Sequence, residues 1–92
     1  MISVPSRTEI LNDIIAIVSE QTGISLAGTI NEETRFFAEL GLASIDAVVL
    51  TEALQKHYER TLPFHELIAE VGRRAERDLV IGELVEFLAA HL

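Results

Sequence analysis

Apolar residues recur at intervals of three and four positions along most of this chain, and this spacing limits the folds open to it. In the first such segment the apolar positions are Ile10, Leu11, Ile14, Ile15 and Val18. These positions share one side of an α-helix, because a helix turns once in about 3.6 residues. Ser6 and Glu9 precede them with the spacing of a capping box, and Gly23 suits a helix end. The sequence therefore predicts a first helix between Ser6 and Gly23.

The segment SIDAVVLTEALQKHYE, residues 44–59, predicts a second helix with apolar residues on two opposite sides. One side runs the full length and is assigned to the core; it consists of Ala47, Leu50, Leu54 and Tyr58. The other side carries Ile45, Val48 and Val49 and turns polar at Glu52. An apolar surface that covers only the start of a helix is typical of a partner-binding site. Burial of both sides is the alternative that the spacing leaves open.

Two further helices are expected after Pro63, which suits a first helical turn. The third helix is short, stops at Gly72 and carries apolar residues at helical spacing, namely Phe64, Leu67, Ile68 and Val71. The fourth helix carries Ile81, Leu84, Val85 and Leu88 on one side. The link between these two helices, residues 73–77, is expected to be polar and solvated.

A long connection, residues 23–43, separates the first two helices. Phe36, Phe37 and Leu40 are expected to hold it against the core, with a turn or two of helix around them. No segment alternates apolar and polar residues as a strand would. The predicted fold is therefore all-α, a four-helix bundle with three main helices and one short helix, in a single domain over residues 1–92.

The acidic composition of the chain limits its partners. Fifteen acidic residues face seven Lys and Arg, for a formal net charge of -8, which repels nucleic acid and anionic membranes. No apolar run approaches the roughly 18 residues of a membrane span, and the N-terminus lacks a secretory signal pattern. The chain has no cysteine, so disulfides and thiolate chemistry are excluded. We expect a cytoplasmic monomer that binds neither nucleic acid nor membrane.

Residues that could support catalysis or bind a metal are sparse. His57, His65 and His91 lack the spacing of metal ligands, and no nucleophile stands beside a base and an orienting acid. A bundle of this size also offers little room for a pocket. Ser44 stands at the predicted start of the second helix, where serine is a preferred N-cap, but nothing adjacent would activate its hydroxyl. The sequence predicts neither an enzyme nor a metal site.

The residues ELGLASIDAVVLTEALQKHY, 39–58, resemble the attachment region of acyl carrier proteins and of their peptidyl carrier relatives. That family typically shows Leu-Gly, a variable residue, Asp-Ser-Leu or Asp-Ser-Ile, and then an acidic residue at the start of a helix. The matching positions are Leu40, Gly41, Leu42, Ser44, Ile45 and Asp46. Ala43 departs from the pattern, since the family usually has Asp there. The order of the predicted helices, with the segment VIGELVEFL in the last one, extends the resemblance over essentially the whole chain.

The resemblance implies a role for Ser44. This residue would receive 4'-phosphopantetheine from coenzyme A through a separate phosphopantetheinyl transferase that uses Mg²⁺, and the thiol of the arm would carry an acyl group as a thioester. The transferase, and the enzymes that load or use the acyl or aminoacyl group, would bind a surface formed by Leu42, Ile45, Asp46, Val48, Val49 and Glu52. A phosphodiester at a helix N-terminus is stabilised by free N–H groups and by the helix dipole.

Three interpretations of the function remain open at this point. The first is a free-standing acyl carrier protein for polyketide or related biosynthesis, because Val49, Gln55 and Lys56 dilute the carboxylates usual on this helix in carriers of fatty-acid synthesis. The second is a peptidyl carrier protein that carries aminoacyl groups in nonribosomal peptide synthesis. The third, favoured by Ala43, is a carrier-like bundle that is never modified and acts as an interaction or regulatory module.

Overall fold

A computed structural model describes residues 5–23, 28, 30–75 and 78–92 of the protein. The helices in this part are α1 (Arg7–Thr22), α2 (Ser44–Tyr58), α3 (Phe64–Gly72) and α4 (Ile81–His91). The described residues contain no β-strand, and Arg35 and Val80 form an isolated bridge. None of these helices is both long enough and apolar enough to cross a membrane. The predicted all-α fold, with three main helices and one short one, is confirmed.

Helix α1 begins and ends where the sequence indicates. The Ser6 hydroxyl accepts a hydrogen bond from the backbone N–H of Glu9 at 3.2 Å, which satisfies one of the donors that a helix start leaves without an intrahelical acceptor. At the other end, Gly23 adopts a left-handed φ of 74° and its N–H donates to the Ser19 carbonyl at 2.9 Å. Because a side chain with a Cβ is strained in that conformation, glycine suits the end of the helix.

One hydrophobic core receives side chains from all four helices and from the connections between them, with α1 packed against both α2 and α4. Its buried members are Ile10, Ile14, Val18, Ile30, Phe36, Leu50, Leu54, Leu62, Phe64, Leu67, Val71, Leu79, Ile81, Leu84, Val85 and Leu88. Partly buried residues from the predicted core pack against them, namely Leu11, Ile15, Ala47 and Tyr58. Ile68, which shares the helical spacing of Phe64, Leu67 and Val71, is 46% exposed. That residue lines a cavity between α2 and α3 instead of filling the core.

The connection between α1 and α2 is tied to the residues just before α4. The N–H of Phe36 donates to the Leu79 carbonyl at 2.9 Å, and the N–H of Phe37 donates to the Asp78 carboxylate at 3.0 Å. The three predicted anchors, Phe36, Phe37 and Leu40, are buried or half-buried, which confirms their assignment. The segment around them forms turns and not a helix. Positions 24–27 and 29 of the predicted connection lie outside the described residues.

The link between α3 and α4 is less solvated than the sequence predicts. The Arg74 side chain is 29% exposed, and it donates hydrogen bonds to Glu70 at 2.9 Å and to Glu83 at 2.8 Å. The expectation of a solvated link is therefore wrong at this position, because carboxylates on both neighbouring helices pair with the guanidinium. Residues 76 and 77 of the same link lie outside the described residues.

Tyr58 joins α2 to α1 through a side-chain hydrogen bond. Its hydroxyl donates to Asp13 Oδ2 at 2.8 Å, and Nε2 of His57 lies 3.5 Å from the same oxygen. Burial, followed by the hydrogen bond to Asp13 and its negative charge, raises the pKa of Tyr58 above its usual value. His57 and Asp13 do not form part of a metal site, since no cluster of at least three ligand-type side chains occurs in the described part of the chain.

Candidate attachment site at the start of α2

Ser44 is the first residue of α2, and Ala43 before it takes the N-cap position. The predicted N-cap role of Ser44 is therefore wrong, because the helix has already begun at this residue. Ser44 is exposed, and its hydroxyl has no hydrogen-bond partner among the described residues. An exposed hydroxyl that the fold does not use is accessible to another enzyme.

Asp46 satisfies the start of α2 in place of the serine. Its carboxylate oxygen Oδ2 accepts a hydrogen bond from the backbone N–H of Ala43 at 2.8 Å, and its own N–H donates to the Ala43 carbonyl at 3.0 Å. The N–H groups of Ser44 and Ile45 lie in the first turn and have no intrahelical acceptor, and the side chain of Ala43 at the N-cap supplies none. Such free donors, together with the helix dipole, favour an anion at this helix end.

Gln21 in the last turn of α1 holds the first turn of α2 in place. Its Nε2 donates to the Asp46 carbonyl at 3.0 Å and approaches the carboxylate Oδ1 at 3.5 Å. Its Oε1 is buried without a hydrogen-bond partner. Sequence reasoning missed this residue. A signal was present, because Gln21 lies on the same helical side as Ile10 and Ile14 and is a polar residue on an apolar stripe,.

Gly41 turns the chain from the connection into α2. It has a φ of 67°, in the left-handed region, and its N–H donates to the Phe37 carbonyl at 3.0 Å. Because residues with a Cβ are disfavoured there, the glycine of the Leu-Gly motif has a backbone role. It places Ala43 and Ser44 beyond the last turn of the connection, at the protein surface.

The second apolar side of α2 is exposed. The exposed fraction is 65% for Ile45 and 43% for both Val48 and Val49, so the alternative in which both sides of the helix are buried is wrong. Glu52 is exposed beside them. The two remaining members of the predicted partner surface, Leu42 and Asp46, are half-buried. Its use by partner enzymes stays a prediction.

A cavity of about 310 Å³ lies between α2 and α3, with Ser44 at its edge. Its wall on α2 includes Ala47 and Val48, and its wall on α3 includes Leu67 and Val71. The expectation that a bundle this small leaves little room for a pocket is therefore wrong. An apolar cavity next to an exposed hydroxyl can shelter an apolar group that is attached there.

Comparisons with known proteins agree with this geometry. Residues 12–72 match the family model described as the phosphopantetheine attachment site. An acyl carrier protein of Prochlorococcus marinus is 31% identical over 85 residues, which cover 92% of this chain and 95% of that protein. An acyl carrier protein of Clostridium acetobutylicum is 32% identical over 75 residues, which cover 82% of this chain and 86% of that protein. The family match spans the exposed serine together with α2 and α3, and the chain therefore belongs to the acyl carrier protein family.

Proposed function

We propose that Ser44 carries 4'-phosphopantetheine, the covalent prosthetic group of this family, and that residues 1–92 form one carrier domain. The observation that carries the assignment is the exposed Ser44 hydroxyl, which has no partner among the described residues at the first position of α2. When bound, the prosthetic group supplies a thiol that holds an acyl group as a thioester. The chain itself presents the serine, and partner enzymes perform the chemistry.

The residues around Ser44 fit a phosphodiester. The first-turn N–H groups of Ser44 and Ile45 are free to donate to phosphate oxygens. The small side chain of Ala43 leaves the hydroxyl open to approach. During attachment the Ser44 oxygen forms a bond to the phosphorus next to pantetheine, adenosine 3',5'-bisphosphate leaves, and a base on the transferase takes the hydroxyl proton.

An acyl chain is the cargo that the cavity beside Ser44 favours. Its walls are largely apolar, with Leu67 and Val71 facing Ala47 and Val48. Burial of apolar area is worth about 25 cal/mol per Å², so a hydrocarbon chain gains by entering. An aminoacyl group carries an ammonium, and its burial is unfavourable without a charged partner. Acyl cargo is therefore preferred to aminoacyl cargo.

We propose that partner enzymes bind the exposed surface of α2. It combines the exposed apolar residues with nearby carboxylates and consists of Leu42, Ile45, Asp46, Val48, Val49 and Glu52. A small patch of this kind suits brief encounters, in which the carrier leaves each enzyme after one reaction. Exposed Val49 and Lys56 stand where further carboxylates are usual, which supports use in polyketide or related biosynthesis.

Intact-mass measurement tests the attachment. After incubation with coenzyme A, Mg²⁺ and a promiscuous phosphopantetheinyl transferase, the wild type should gain the mass of one phosphopantetheine, and Ser44→Ala should gain none. Ser6→Ala is the matched control, because Ser6 is another exposed serine at a helix start; this variant should be modified like the wild type. An unmodified wild type, beside a known carrier that is modified in the same reaction, contradicts the proposal.

A second candidate function is an interaction module that is never modified. Ala43 favours it, because an Asp is usual at this position in the family. In that case binding to a partner enzyme would survive Ser44→Ala but would be lost with Val48→Lys, which places a charge on the exposed apolar side of α2. If Ser44→Ala instead abolishes the reaction of the partner enzyme, the carrier role is supported and the unmodified module is excluded.

A further inference from the structure

Arg74 connects the end of α3 to the start of α4. Its Nη1 donates to Oε1 of Glu83 at 2.8 Å, and its Nη2 donates to Oε2 of the same carboxylate, so the pair is bidentate,. Nη2 also donates to Glu70 Oε1 in the last turns of α3 at 2.9 Å. The guanidinium lowers the pKa of the Glu83 carboxyl, which keeps the pair charged at neutral pH.

The helix held in this way is one wall of the cavity beside Ser44. Helix α3 contributes Leu67, Ile68 and Val71 to the lining, and α4 contributes Leu84. The position of α3 relative to the rest of the bundle therefore sets the size of the cavity. Any outward displacement of α3 would enlarge it.

Helix α3 is tied at both ends by polar contacts. Before its start, the N–H of Leu62 donates to Oε1 of Gln55 in α2 at 2.8 Å. After its end, Arg74 provides the contact with α4 through Glu83. The side chains of Arg74 and Glu83 are 29% and 33% exposed, so water can solvate both groups when they separate. The Arg74–Glu83 pair can therefore separate while the hydrogen bond between Leu62 and Gln55 stays intact.

We propose that Arg74 is a specificity-determining residue for the length of the cargo, an inference that rests on the proposed carrier function. Its pair with Glu83 holds α3 in the position that gives a cavity of about 310 Å³, near the lower end of the roughly 300–1,000 Å³ of small-molecule sites. Short acyl chains fit with the pair intact. Longer chains enter only when the pair opens and α3 moves outward.

The test uses full-length protein loaded through its arm with a graded series of saturated acyl chains. The rate at which hydroxylamine cleaves each thioester reports how far the chain withdraws the thioester from solvent. In the wild type, protection should rise with chain length and then stop rising. In Arg74→Gln the longest chains should become severalfold better protected, so that the length limit shifts upward, while the shortest chains are unaffected.

Arg73→Gln is the matched control, because Arg73 is the adjacent exposed arginine and has no side-chain partner among the described residues. It should keep the wild-type length limit. Arg74→Lys retains the charge, and its length limit should lie between those of the wild type and Arg74→Gln. If Arg74→Gln does not fold, Arg74→Lys is compared with the wild type in its place. The same length profile in all variants, with normal loading, overturns the role of Arg74. Failure of the wild type to gain the prosthetic group at Ser44 instead contradicts the attachment itself.

Discussion

The carboxylate of Asp46 accepts a hydrogen bond from the backbone N–H of Ala43 at 2.8 Å, across the two residues Ser44 and Ile45 that lie between them in the motif. This contact completes the start of α2 without the hydroxyl of Ser44. The serine can therefore be esterified without removing a bond that stabilises the fold. The acidic residue two positions after the serine has a structural role as well as its predicted place in the partner surface.

Replacement of Asp46 tests that structural role. Asp46→Ala removes the acceptor for the Ala43 N–H and one of the two contacts of Gln21. We expect the free energy of unfolding to fall by about 1–2 kcal/mol, as for the loss of a helix cap, and the modification of Ser44 to slow. Urea denaturation followed by circular dichroism measures the change. Glu52→Ala removes an exposed carboxylate of the same helix and should stay within about 0.5 kcal/mol of the wild type; equal effects would refute the role.

Addition of a side-chain cap at Ala43 should stabilise the protein. Ala43 is the N-cap of α2 but makes no side-chain cap bond. Ala43→Asp supplies an acceptor for the free first-turn N–H groups, and we expect the free energy of unfolding to rise by about 0.5–2 kcal/mol. Ala43→Asn offers the same acceptor without the charge and separates capping from electrostatics in the same denaturation experiment. The prediction fails if neither variant is more stable than the wild type.

Tyr58 should titrate at higher pH in the folded protein than in the unfolded chain. The chain has one tyrosine and no tryptophan, so the ultraviolet absorbance of the phenolate reports this residue alone. Burial and the carboxylate of Asp13 raise its pKa in the folded state, while the unfolded value is about 10. Stabilisation by the protonated hydroxyl is thus complete below a pH of about 10 and is lost progressively as the pH rises beyond it.

The measurement compares absorbance titrations of native protein and of protein in concentrated urea, with the native midpoint expected at the higher pH. Tyr58→Phe removes the hydrogen bond to Asp13 and should lower the free energy of unfolding near neutral pH by about 1 kcal/mol. This variant should also lose the alkaline decline in stability that belongs to the phenol. Identical native and unfolded midpoints would show that the bond to Asp13 does not persist in solution.

Gly82 and Gly72 should respond in opposite ways to the same substitution. A Cβ at Gly82 would lie 2.7 Å from the backbone oxygen of Glu32, so Gly82→Ala must displace the connection from α4. We expect a loss of about 1–3 kcal/mol in the free energy of unfolding. A Cβ at Gly72 would meet no atom within 4 Å, and Gly72→Ala should raise stability by about 0.5 kcal/mol. Thermal denaturation of both variants measures these changes in stability. A Gly82→Ala variant more stable than the wild type would exclude the close approach of Gly82 to the Glu32 backbone oxygen.

The helices and most of the core could be predicted from sequence because they depend on local spacing. Residues such as Ile14 and Leu54 repeat at the helical period, and burial follows wherever a helix has one apolar side,. The Leu-Gly motif and Ser44 could be located in the same way, since a turn and a helix start are local features. The same spacing cannot distinguish a side chain in the core from one, such as that of Ile68, that lines a cavity.

The supports of the site depend on contacts between distant parts of the chain, and these could not be predicted. Gln21 in α1 meets Asp46 in α2, and Arg74, which follows α3, meets Glu83 in α4. The cavity exists because α3 lies apart from α2 by a distance that no local pattern encodes. A polar residue on an apolar stripe, such as Gln21, is the one sequence signal that pointed toward such a contact.

The hydrogen bond between Phe36 and Leu79 has a consequence for protein synthesis. A nascent polypeptide that stops short of Leu79 has no acceptor for Phe36 and no Asp78 to bind Phe37. To bring Phe36 and Leu79 together, the chain between them must form a long loop. Closing this loop costs conformational entropy, which the apolar contacts of α4 offset. We therefore expect the segment that leads to Ser44 to become ordered only after Asp78 and Leu79 have been synthesised and can accept these hydrogen bonds.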